Sequence, residues 1–168
     1  MASTAPFTGN ELVYVSGTDG AGRPSSGQFP MSTSQFAMSN LPGQYQTNAA
    51  TSGTTLTAAN IAGANTASDP LVVYLNMTGT LAGAANAQLP TVAAMVAVFP
   101  TPVIGQTYIL RVLNTSSGNF AWTVTTNTGW TLNGPSYAIA QNTWCEFLIT
   151  LTSLTAATMQ TIGRGVAP

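Results

Sequence analysis

The chain has 168 residues, of which 45% are hydrophobic and only 4% charged, and its net charge is −1. That is enough for one domain or a domain plus an arm, with ample material for a core, but the charged fraction is far below the ~25% of an average globular domain. There is no lysine, no histidine and only three scattered arginines, so no basic patch exists to hold nucleic acid or an anionic membrane.

The texture changes near residue 70. Residues 1–70 are rich in Gly, Ser, Thr, Asn, Ala and Pro, and read as an extended N-terminal arm. The opening has no basic segment followed by an apolar run, so no signal peptide is expected. No apolar stretch approaches the ~20 residues that span a bilayer. A chain made and folded in a cytoplasm is the expectation.

Within the arm, Leu12-Val13-Tyr14-Val15 alternates and predicts a strand. The turn-rich run from Ser16 to Pro24 leads to a returning strand over Gly27–Thr33, giving a hairpin too small to stand alone. Ser32–Met38 predicts a short hydroxyl-capped helix. Gly53–Thr57 predicts an edge strand, and Asn60–Asp69 a loop. A segment so poor in large apolar residues either wraps a neighbouring subunit or serves as a linker.

From Asp69-Pro70 onward the pattern is denser. Leu71–Met77 predicts a buried strand and Thr78–Gln88 a loop. Leu89–Pro100 predicts one short helix, with proline near its start and at its end. Its stripe of Val92, Met95, Val96 and Phe99 at helical spacing should face the core. Strands follow at Gln106–Asn114, Phe120–Thr126, Trp130–Leu132, Ser136–Ala140, Thr143–Thr152 and Ala157–Ile162. Asn133-Gly134 between two of them is a strong hairpin signal. Short strands at regular spacing predict a mainly β fold: an antiparallel β-sandwich or jelly-roll-like domain over 71–168 with one short helix.

Catalytic arrangements can be tested against so small an inventory. Without histidine there is no Ser-His-Asp or Cys-His site, and without lysine no serine–lysine dyad. Glu11, Asp19, Asp69 and Glu146 would have to converge for carboxylate chemistry, yet three sit at predicted turns or a hairpin and one in a strand. Zinc finds no ligand cluster, and Gly17-x-x-Gly20-x-Gly22 lacks the lysine of a phosphate loop. Cys145, flanked by Trp144 and Phe147, reads as a small buried hydrophobe. The expectation is a non-enzyme with no catalytic residues, no metal and no cofactor.

Two constellations remain. Arg111 and Glu146 lie in strands otherwise built of apolar residues and threonine, and either form a cross-strand ion pair or face solvent separately. The aromatics Phe120, Trp122, Trp130, Tyr137 and Trp144 either fill a core or subunit interface or form an exposed row on which sugars stack. Phe120 and Trp122, two apart, are expected on one strand face.

The run Gly105–Asn114, with Trp122-Thr123-Val124, Gly129–Gly134, Asn142–Phe147 and the closing Ala156–Gly163, resembles small virion proteins of tailed bacteriophages. The opening Thr8–Gly17 is similar to N-terminal modules of phage head-decoration and fibre proteins. The resemblance implies a β-sandwich or jelly-roll protomer, typically trimeric, attached through its arm. It implies a capsid decoration (cement) protein on the virion surface, with the major capsid protein and copies of itself as partners. The alternative it leaves open is a tail or head fibre that touches host glycans.

Overall fold

The computed structural model describes residues 12–18 and 24–30 as backbone, and residues 44–64, 69–136 and 138–167 in full. The chain divides into two compact units, 1–41 and 42–168. Residues 42–70, grouped with the arm by texture, thus contribute their strands and helix to the larger unit.

The first unit holds β1 (Leu12–Thr18) and β2 (Pro24–Pro30), paired antiparallel from Leu12 opposite Pro30 to Thr18 opposite Pro24. Leu12, Val13, Tyr14 and Val15 all belong to β1. The helix expected over Ser32–Met38 lies outside the described residues.

The second unit is mainly β. Its elements are β3 (Gln44–Asn48), β4 (Thr54–Thr55), α1 (Ala58–Ala62), β5 (Val72–Met77), β6 (Ala85–Gln88), α2 (Val92–Val96) and β7 (Thr107–Asn114). They continue with β8 (Trp122–Thr125), β9 (Trp130–Asn133), β10 (Ala138–Ile139), β11 (Thr143–Ser153) and β12 (Ala156–Val166). The strands form a four-stranded sheet, β10-β8-β6-β4, and a six-stranded sheet, β3-β5-β7-β11-β12-β9. From β3 to β11 each strand lies in the other sheet from the one before it.

This alternation corrects the expected all-antiparallel pairing. A chain that crosses to the opposite sheet and returns after each crossing runs in the same direction on every return, so neighbours become parallel. β3–β5, β5–β7, β4–β6, β6–β8 and β9–β12 are all parallel. Antiparallel pairing in this unit is confined to β7–β11, β11–β12 and β8–β10. Asn133-Gly134 accordingly does not close a hairpin. Gly134, at φ 105°, turns the chain from one sheet to the other.

Two further local expectations change. The segment read as a loop up to Gln88 contains β6, whose Ala-Asn-Ala-Gln has little strand preference and is held by β4 and β8 on either side. Residues 71–168 contain the one short helix expected of them, and a second helix among the described residues precedes them. α1 forms at the start of the Asn60–Asp69 segment read as loop because Thr57 and Asn60 cap each other: Thr57 Oγ1 accepts from the Asn60 amide and Asn60 Oδ1 from the Thr57 amide. α2 matches expectation, and Val92, Met95, Val96 and Phe99 are all buried.

The inward residues of both sheets and both helices belong to one core, which includes Leu75, Leu110, Val112, Trp122, Phe147 and Ile149. Alternation along β7 and β11 produces this: even-numbered residues of β7 and odd-numbered residues of β11 point in, and their neighbours point out. Asn114, like Ser116 and Asn60, is a buried polar residue. Its Nδ2 donates to the Phe120 and Ile139 carbonyls, and its Oδ1 accepts from the Ser116 amide and hydroxyl. It ties β7 to the loop before β8 and to β10.

Candidate functional site

The outer face of the six-stranded sheet gathers most of the unit's exposed aromatic and ionic chemistry. Register puts Tyr45, Tyr74, Arg111, Glu146 and Gly163 directly opposite one another on β3, β5, β7, β11 and β12. At ~4.8 Å between strands, this row crosses roughly 19 Å of sheet. A second row, Asn76, Leu113, Trp144 and Gly165, lies beside it.

The structure brings Arg111 and Glu146 together. Arg111 Nε donates to Glu146 Oε1 at 2.8 Å, and Nη2 donates to the same oxygen. The guanidinium carbon also sits 4.7 Å from the Trp144 ring centroid and 5.4 Å from that of Tyr74. Arg111 is therefore a cation between two aromatic rings, with its charge matched by a carboxylate.

Trp144 can spread over the sheet because β12 offers no side chains beneath it. A Cβ on Gly165 would lie 2.8 Å from the indole, and one on Gly163 3.4 Å from it. A β-bulge between Glu146 and Phe147 makes this possible. Phe147 faces Thr161 and Glu146 faces Gly163, so Ile162 is the additional residue. The bulge shifts the parity of β12 and turns both glycines to the face that carries Trp144 and Glu146.

Tyr45 is 61% exposed and Tyr74 37%. Asn76 Nδ2 donates to Tyr45 Oη at 3.0 Å and Asn76 Oδ1 accepts from Thr115, which orients the tyrosine. Together Tyr45, Tyr74, Asn76, Arg111, Leu113 and Trp144 line a cleft of about 150 Å³.

The five aromatics singled out in the sequence are dispersed. Trp122 is fully buried, and its Nε1 has no hydrogen-bond partner among the described residues. Trp130 is buried and donates from Nε1 to the Pro90 carbonyl at 2.7 Å. Phe120 is 37% exposed and does not share a strand face with Trp122. Gly118 and Asn119 both take positive φ, which breaks the alternation before β8 begins at Trp122. Tyr137 lies outside the described residues. Only Trp144 joins the outer cluster, where Tyr45 and Tyr74 accompany it. Sequence reasoning missed both tyrosines, passing over Tyr45 within the arm and placing Tyr74 in a buried strand. The signal for Tyr74 was alternation, since its neighbours Val73 and Leu75 point inward.

Other openings offer less chemistry. A hollow of about 380 Å³ beside Ala138–Ala140 and Arg164 reaches Cys145, whose thiol is pushed up by burial and so stays protonated. Asp69 accepts hydrogen bonds from the Thr101 amide and hydroxyl, a turn-fixing role. Among the described residues no three His, Cys, Asp or Glu side chains gather as a metal site, and no helix is long and apolar enough to cross a membrane. Glu11 and Asp19 lie outside the described residues. No family model, curated protein or solved structure matches this chain.

Proposed function

We propose that this chain is a structural, non-enzymatic component of a tailed-phage particle, most simply a capsid decoration protein. In this reading the two sheets pack as a sandwich, and the unit adheres to its neighbours by burying apolar surface. The observation that carries it is an exposed apolar end with almost no charge around it. Val103, Ile104 and Leu154 are each more than half exposed. They stand where β7 begins and the β11–β12 turn closes, since Gly105 donates to the Leu151 carbonyl there and Thr107 lies opposite Thr150. Large apolar side chains left on a surface with a net charge of −1 favour association. The phage-like segments at both ends of the sequence supply the identity of the assembly, with the major capsid protein and further copies of the chain, as a homotrimer, for partners.

Quantitative protein composition of purified particles tests this. A decoration protein should approach the major capsid protein in copy number and stay attached in moderate salt, because no ionic contact holds it. Absence from the particle, or release by salt alone, would overturn the proposal. A copy number of a few per particle would favour the fibre alternative, which has its own observation in the exposed Tyr45 and Tyr74 beside the half-buried Trp144.

A further inference from the structure

The row of aromatic rings on the outer face has no structural task that explains its composition. Tyr45 is 61% exposed and Tyr74 37%, and Trp144 occupies ground that Gly165 and a bulge keep clear. A sheet face meant only for solvent would need neither.

We propose that the cleft formed by Tyr45, Tyr74, Arg111 and Trp144 is a binding subsite for an uncharged saccharide. Four features define the ligand. The rings offer flat apolar surfaces of the kind on which the C–H faces of a pyranose stack, and each ring carries a polar tip for its hydroxyls. Polar groups converge beside them: the Asn76 amide and Tyr45 Oη, both in the lining of the cleft. The charge of Arg111 is compensated within the cluster, so an anionic sugar gains little and would have to compete with Glu146. The volume of about 150 Å³ is below the ~300–1,000 Å³ of enclosed small-molecule pockets and suits one ring of a longer chain.

A second copy of the protein fits these features less well. Stacking another sheet here would desolvate what remains exposed of the ion pair and the Asn76–Tyr45 bond without supplying them with partners. The subsite does not depend on the particle assignment. A chain that is absent from virions could still bind sugar, and a decoration protein could fail to.

The test is a glycan array of neutral and acidic saccharides probed with the full-length chain, followed by titration of the tightest neutral oligosaccharide with tryptophan fluorescence as the readout. Trp122 and Trp130 are buried, so a ligand-induced change reports on Trp144. Tyr45→Ala and Tyr74→Ala should each weaken binding at least tenfold with an unchanged circular dichroism spectrum. Gly165→Val, which drives the indole from its seat, should do the same, while Trp144→Phe should abolish the fluorescence change. Tyr45→Phe keeps the ring and should retain more affinity than Tyr45→Ala. No binding to any saccharide on the array would overturn the proposal. So would preference for acidic sugars, affinity untouched by both tyrosine variants, or a Tyr45→Ala chain that alters only the sedimentation of oligomers.

Discussion

The six-stranded sheet presents two faces made from the same strands, and they differ in almost every physical respect. Along β11, Cys145, Phe147, Ile149 and Leu151 point inward and are at most 2% exposed, while Trp144, Glu146, Leu148 and Thr150 point outward. The inner face is bound by volume and shape, the outer one by stacking, an ion pair and hydrogen bonds near water. Consecutive residues are thus subject to different energetics, and the fold and the candidate site can be perturbed separately.

The largest expected effect separates the faces within one dipeptide. Phe147→Ala should cost about 3–5 kcal/mol by leaving a cavity in the core, whereas Leu148→Ala, one residue on, should cost about 1 kcal/mol or less. Urea unfolding of the two variants measures both. Equal costs would mean that the outer face is covered in solution by something that buries Leu148 too. Asn114→Ala comes next, at about 1–3 kcal/mol, because it strands the Phe120 and Ile139 carbonyls and the Ser116 amide and hydroxyl in the interior. The same denaturation experiment reads it.

Alkali should attack the inner face first. Tyr108 is buried and donates to the Met95 sulfur at 3.1 Å, and burial holds its hydroxyl protonated well above the ordinary tyrosine range. Above pH 10 the unfolded chain releases this proton while the folded one keeps it, so the native state binds more protons and stability falls as pH rises. The slope for one such group is about 1.4 kcal/mol per pH unit. Below pH 10 the contribution is fully present. Tyr108→Phe should flatten the pH dependence of the melting temperature in this range, and an unchanged slope would place the alkaline sensitivity elsewhere.

Much of the inner face was legible in the sequence, and little of the outer. Alternation located β7, β8 and β11, and helical spacing found the buried stripe of α2, because burial leaves a periodic trace in residue type. Pairing leaves no such trace. Asn133-Gly134 satisfies the local requirements of a hairpin, but the same positive φ at Gly134 serves a crossover between sheets, and only contacts distant in sequence decide between them. That decision set the parallel neighbours β3, β5 and β7, and with them the row that aligns Tyr45 and Tyr74 with Arg111. The tyrosines are 29 residues apart (74 − 45) in segments of different texture, so no local pattern joins them. Arg111 and Glu146 were noticeable alone, because charge is so rare in this chain.

A modest expected effect on stability is the most informative about the outer face. Arg111→Met removes a partly buried ion pair worth up to about 1 kcal/mol and two cation–π contacts of about 0.5–1 kcal/mol each, while keeping an apolar stem between Tyr74 and Trp144. Glu146 keeps only 19% of its side-chain exposure, so water reaches the orphaned carboxylate in part. The net cost should be about 1–2 kcal/mol by chemical denaturation, well short of Phe147→Ala. It should also shift the emission of Trp144, because the cation no longer sits 4.7 Å from the indole ring. A cost approaching that of Phe147→Ala would mean that Arg111 is a buried structural ion in the working assembly, and that the two faces of the sheet are alike in energy after all.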